Sequence, residues 1–163
     1  MLSNDELVQA VYEGDLAKIK ADFSKTEGDS PSGLLLDVTS LLKAGAGQQY
    51  KMDFVSLICK AEAEHPHHFD QYKALLSFLI EKDGLKKVVD LASYPTFYCQ
   101  IDNKTSPYCG KKYRVRIPMS SDMKTHLQYL ALCTTDQKGT NEEGRFATEL
   151  ARLSLHKKRA FNR

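Results

Sequence analysis

The sequence predicts an all-α fold made of short stacked helix pairs, with one β-hairpin inserted at about residues 96–117. Two observations predict it. Apolar residues recur three and four positions apart along most of the chain, between turns that contain glycine or proline. Residues 112–117 alternate instead between charged and apolar or aromatic side chains, which is typical of a strand. We expect one domain over residues 1–163, with an extended insertion at 94–118.

The first predicted helix pair covers residues 5–13 and 16–23. Each segment carries an apolar stripe at helical spacing, and either Ser3 or Asn4 can cap the first segment. Gly14 ends the first helix, and Asp15 can cap the second. The two segments are therefore expected to form a helix, a tight turn and a second helix.

The middle of the chain is predicted to continue this pattern. Residues 25–33 are rich in glycine, proline and small polar residues and are expected to form a loop. Helices are predicted at 34–43, 53–64, 69–81 and 85–92, with Pro66 forcing a break between the second and the third of them.

The hairpin and the C-terminal region follow. Phe97 to Ile101 is expected to pair with residues 112–117 across a loop at 102–110. A helix is predicted at 121–134, then a loop at 136–144 and two short closing helices.

Two segments at the ends of the chain, 5–23 and 141–158, resemble ankyrin repeats. In the first, Ala10 occupies a small-residue position of one helix and Gly14 the turn to the next. In the second, a polar turn with Gly144 precedes a helix that ends in Leu150 and Ala151. Small residues let paired helices approach closely, and each pair buries its apolar stripe on its neighbours.

The resemblance implies a non-enzymatic module that binds other proteins through its repeat loops, as adaptors and effectors do. It fixes no binding residues, so the contact surface is sought in the unusual part of this chain, the hairpin. The predicted partner-binding residues are its aromatic and basic side chains, which suit a second protein, including an acidic one: Tyr98, Tyr108, Lys112, Tyr113, Arg114 and Arg116.

Two other interpretations of the hairpin stay open. The basic and aromatic residues of 108–116 could stack on the bases of a single-stranded nucleic acid and neutralise its phosphates, although we favour a protein partner over a nucleic acid. Alternatively, the charges could only keep an exposed strand edge from aggregating.

A small helical enzyme using cysteine and histidine chemistry is the remaining alternative. It would need Cys99, Cys109 or Cys133 close to His126 or His156. No motif surrounds these cysteines, and we expect no catalytic residue, no metal and no cofactor. The histidines of 65–68 lack the spacing of a zinc site and are interpreted as an interhelix turn. The four cysteines are expected to be free thiols, Cys99 with Cys109 being the sole sensible pair otherwise.

Composition and charge limit the class of protein, its partners and its location. Hydrophobic residues make up 42% and charged residues 27% of the chain, which excludes disordered and collagen-like classes. Residues 1–90 carry 10 basic and 15 acidic side chains, whereas residues 91–163 carry 13 and 6, so the two regions should face different partners or each other. The sequence shows neither a membrane span nor a secretory signal, so we expect a cytoplasmic location, which is compatible with export as an effector.

Overall fold

The computed structural model describes residues 1–24 and 30–136. This part of the chain combines helices with an antiparallel sheet. The helices are α1 (Asn4–Glu13), α2 (Leu16–Phe23), α3 (Phe54–Glu64), α4 (Phe69–Asp83), α5 (Leu85–Ala92) and α6 (Ser121–Asp136). The strands are β1 (Leu35–Asp37), β2 (Gln48–Asp53), β3 (Thr96–Ile101) and β4 (Lys112–Arg116).

Side-chain caps explain where several helices begin. The Ser3 hydroxyl accepts a hydrogen bond from the Glu6 amide, and the Glu6 carboxylate accepts one from the Ser3 amide, so α1 starts with a capping box. Asp15 and Asp53 accept hydrogen bonds from backbone amides at the starts of α2 and α3. Gly14 ends α1 in the left-handed conformation. The predicted roles of Ser3, Gly14 and Asp15 are confirmed, whereas Asp53, predicted as the first residue of a helix, precedes α3 as its cap.

The four strands form one sheet in the order β1, β2, β3, β4, and every neighbouring pair is antiparallel. Successive residues of a strand point to opposite faces. One face turns Leu36, Met52 and Cys99 into the interior, where all three are buried. The other face carries Lys51 and the charged residues of β4 toward solvent.

Helix α3 lies at the centre of the helical layer. It packs against α1, α4, α5 and α6, and eight of its eleven residues are buried. The apolar side chains of the sheet, including Leu36 and Met52, belong to the same hydrophobic core. A continuous core therefore fixes the sheet against the helices.

The prediction of an all-α repeat stack is wrong, because the structure is mixed α/β. The predicted helix at 34–43 is instead strand β1 followed by turns. Burial there alternates, with Leu36 and Val38 inside while Leu35 is exposed, and the Val38 amide donates to the carbonyl of Tyr50. Pairing with β2 thus decides the conformation of a segment whose leucines also fit helical spacing.

The expected ankyrin-like arrangement is also wrong. Helices α1 and α2 do form a pair around Gly14, but α1 packs on α3 and on β1. A four-stranded sheet lies where further repeats were expected. The resembling segment at 141–158 and the closing helices lie outside the described residues. The predicted helices at 53–64, 69–81, 85–92 and 121–134 and the hairpin at 96–117 are confirmed.

Candidate functional site

The solvent-facing side of the sheet collects basic side chains from two strands. In the β3–β4 register, Tyr98 lies opposite Arg114, and on its other side Tyr98 lies opposite Lys51 of β2. Residues that lie opposite each other in an antiparallel pair point to the same face. Lys112 and Arg116 share that face, two residues to either side of Arg114. We call this set the basic face: Lys51, Tyr98, Lys112, Arg114 and Arg116.

Tyrosine rings hold the arginines of the basic face in place. The Arg114 guanidinium lies 5.1 Å from the ring centroid of Tyr98, and its Nη2 donates a hydrogen bond of 2.6 Å to the Tyr98 hydroxyl. The Arg116 guanidinium lies 4.9 Å from the ring centroid of Tyr94. Stacking of this kind restricts a guanidinium before a ligand arrives and thereby reduces the entropy lost on binding.

No carboxylate of the described residues forms an ion pair with these arginines. Within residues 1–24 and 30–136, none of the ion pairs includes Lys112, Arg114 or Arg116. Asp37 lies on the same side of the sheet, opposite Lys51, but Thr39 and Gln49 donate hydrogen bonds to its carboxylate. The hydrogen bond from the Thr39 hydroxyl is the main reason why the pKa of Asp37 lies below its usual value. Asp37 stays ionised and faces Lys51, so among the described residues the uncompensated positive charge of the basic face comes from Lys112, Arg114 and Arg116.

A hollow of about 260 Å³ lies on the same side of the sheet. Its polar lining supplies two ammonium groups and two side-chain amides, and its apolar lining supplies a leucine and a tyrosine ring. A carboxylate is an acceptor that such donors bind well. The lining residues are Leu35, Gln49, Lys51, Tyr98, Gln100 and Lys112.

The structure divides the predicted binding residues between two sides of the hairpin. Tyr98, Lys112, Arg114 and Arg116 lie together on the basic face. Tyr113 points to the opposite face, and Tyr108 lies in the hairpin loop, where the Lys111 ammonium is 5.6 Å from its ring centroid. Sequence reasoning missed Lys51 and Gln49, because β2 was not recognised as a strand. Its signal was the alternation of Tyr50 and Met52 with polar residues.

A second hollow lies between helices and the residues after β4. It measures about 680 Å³ and is lined largely by apolar side chains of α5, α6 and the segment that follows β4. Arg116 also lines this hollow, so this residue borders both the second hollow and the basic face.

The cysteines that the enzyme alternative would need lie in different surroundings: Cys99 is buried on the inward face of the sheet, and Cys133 is half-buried on α6. Cys59 was not one of them. Cys59 is fully buried in α3, and burial raises the pKa of its thiol to about 12, which keeps it protonated and unreactive. Cys109 lies exposed in the hairpin loop. His126 is buried on α6, with its ring centroid 6.1 Å from that of Phe69. His156 lies outside the described residues.

Neither a metal-binding group nor a membrane-spanning helix occurs in the described part of the chain. Its histidine, cysteine and carboxylate side chains form no group of three or more that could hold a metal ion. None of its helices combines the length and the apolar character that a membrane span requires. All four cysteines are free thiols.

Comparison with known proteins gave no relative: no protein-family model, no curated protein and no solved structure matches this chain.

Proposed function

We propose that this chain is a non-enzymatic module that binds an acidic surface of another protein through the basic face. One observation carries the proposal. Arg114 is held on the ring of Tyr98 and hydrogen-bonded to its hydroxyl, while none of the ion pairs of the described residues includes it. A fixed guanidinium with free donors is suited to bind a carboxylate through two parallel hydrogen bonds.

The same contacts favour a protein partner over a single-stranded nucleic acid. Proteins that bind single strands stack bases on the open faces of aromatic rings. A cation covers one face each of Tyr98 and Tyr108 on the hairpin and of Tyr94 just before it. Fewer ring faces are therefore available to bases, whereas the outward N–H groups of the arginines remain available to carboxylates.

Capture from a nuclease-treated cell extract tests the proposal. The hairpin variant Lys112→Gln with Arg114→Gln removes two charges from the basic face. The matched control, Lys18→Gln with Lys20→Gln, removes two charges from exposed positions of α2. We expect wild type and the α2 control to retain the same protein, and the hairpin variant to bind it at least about tenfold more weakly once it is purified.

Three outcomes overturn the proposal. One is retention of nucleic acid only, from extract not treated with nuclease, with an affinity that falls steeply with salt. Another is a retained protein that binds the hairpin variant as tightly as wild type. The third is that neither wild type nor the control retains any protein.

A further inference from the structure

Among the described residues, nothing pairs with the outer edge of β4. In the described part of the chain, β4 pairs with β3 alone and ends the sheet. Every residue of β4 is exposed. An edge of this kind presents backbone donors and acceptors to which another extended segment can pair.

The hydrogen bonds of the hairpin show which backbone groups point outward. The Ile117 amide donates to the carbonyl of Pro95, and the Ile101 amide donates to that of Lys111. In an antiparallel ladder, alternate residues exchange hydrogen bonds with the partner strand and the residues between them point away. The odd-numbered residues Tyr113 and Val115 therefore bond to β3.

It follows that the outward backbone groups belong to the cationic residues. The N–H and C=O groups of Lys112, Arg114 and Arg116 point away from β3 and end at the open edge. Backbone pairing at this edge would bring a ligand strand directly beside these three side chains.

The two faces of β4 also differ in chemistry. Lys112, Arg114 and Arg116 lie on the basic face. Tyr113 and Val115 lie on the other face, where each keeps 41% of its surface exposed because the helical layer does not cover β4 completely. A strand added beside β4 would meet positive charge on one face and apolar surface on the other.

We infer that β4 binds an extended protein segment with alternating acidic and apolar residues, which adds to the sheet as a fifth strand. The inference rests on the proposed function and specifies its partner. Acidic side chains of the segment would lie opposite the three cations, and apolar ones would pack beside Tyr113 and Val115, because cross-strand neighbours share a face.

Charge argues against a second copy of this chain as the added strand. If two β4 strands paired antiparallel through their open edges, outward-pointing residues would face outward-pointing residues. Lys112, Arg114 and Arg116 would then lie opposite one another in every register, and like charges directly opposite destabilise a sheet. An acidic segment places opposite charges there instead.

Two synthetic peptides of identical composition test the inference. One alternates glutamate and valine, and the other groups the same residues into a glutamate block and a valine block. We expect the alternating peptide to bind at least about tenfold more tightly, since it alone can place acidic residues on one face and apolar residues on the other. Titration followed by NMR gives both affinities.

Amide hydrogen exchange in the same samples reports the pairing itself. In the free protein, the amides of Tyr113 and Val115 should be protected and those of Lys112, Arg114 and Arg116 should exchange rapidly. The alternating peptide should protect these three amides as well, because they then donate to its carbonyls.

Two substitutions distinguish the contribution of the Arg114 backbone N–H to binding from that of the Arg114 side chain. Arg114→Ala and Arg114→Pro both remove the guanidinium, but only proline removes the outward N–H, and proline is tolerated where an edge N–H faces solvent. We expect the proline variant to bind the alternating peptide at least about tenfold more weakly than the alanine variant.

The outcomes distinguish the two proposals. If the two peptides bind equally and leave the three amides unprotected, strand addition is wrong, whereas acidic recognition survives if Lys112→Gln with Arg114→Gln weakens both. If neither peptide binds, strand addition is wrong and the capture experiment decides the proposed function separately. Protection of the three amides that rises with protein concentration alone would show that a second copy occupies the edge.

Discussion

Glu62 is a buried acid that joins two helices. It is fully buried on α3, and both of its carboxylate oxygens lie 2.6 Å from the hydroxyl oxygen of Ser120. The same hydroxyl accepts a hydrogen bond from the Met123 amide in the first turn of α6. Burial raises the pKa of Glu62, and the hydrogen bond from Ser120 opposes part of that increase.

The raised pKa of Glu62 predicts a pH-dependent loss of stability. The stabilisation by the neutral acid is complete below the ordinary pKa of 4.5 and is lost as the pH rises through the higher pKa of the folded state. Glu62→Gln cannot ionise. We therefore expect its free energy of unfolding, relative to wild type, to increase from about pH 4 to about pH 8. Urea denaturation across this range measures the difference.

Ser120→Ala is the control for that prediction. It removes the cap of α6 and the donor to Glu62, so it should destabilise the protein at every pH, by about 1 kcal/mol or more. If the free energy of unfolding of Glu62→Gln differs from that of wild type by the same amount at every pH, the raised pKa of Glu62 is contradicted.

At the scale of elements, the hairpin is tied to β2 through Gly47. This residue has φ +79°, and its carbonyl accepts hydrogen bonds from the amides of Asp102 (2.6 Å) and Asn103 (3.1 Å). A Cβ atom at position 47 would lie 2.6 Å from the Cβ of Asn103 and 3.0 Å from its Cα. Both the backbone conformation and the close approach therefore require glycine.

Comparison of Gly47→Ala with Gly110→Ala separates these two requirements. Gly110 has φ +83°, but a Cβ there would meet nothing within 4 Å. Gly110→Ala should therefore cost about 1 kcal/mol from conformation alone, and Gly47→Ala at least about 1 kcal/mol more because Asn103 must move. Equal losses in the free energy of unfolding, measured by urea denaturation, would show that the turn adapts at no cost.

The elements differ in how far the sequence determines them. The helices with capping residues and an uninterrupted apolar stripe were predictable, as was the hairpin, whose period of two is unmistakable. Strands β1 and β2 were not, since their conformation depends on pairing with residues distant in sequence, as between Leu36 and Met52. For the same reason, part of the candidate site could not be predicted: Lys51 reaches the basic face only because β2 pairs with β3.

At the scale of the whole molecule, we expect stability and binding to depend on different residues. The core extends from α3 to the inward face of the sheet, where Met52 is fully buried. Strand β4 lies beyond the helices that cover this face, and none of its five residues is buried. Substitutions in β4 should therefore change recognition with little effect on folding.

The exposed apolar pair of β4 gives the direct test of that separation. Tyr113→Ser with Val115→Ser removes the apolar side of the strand, and we expect a loss of less than about 1 kcal/mol in the free energy of unfolding, because surface substitutions cost little. Met52→Ala, which changes the same face of the sheet inside the core, should cost about 2–5 kcal/mol. The double variant should nevertheless bind the alternating peptide at least about tenfold more weakly, since the valines lose their neighbours. If instead the double variant loses as much free energy of unfolding as Met52→Ala, then Tyr113 and Val115 contribute to the stabilising core. Their exposure would then not indicate a binding surface.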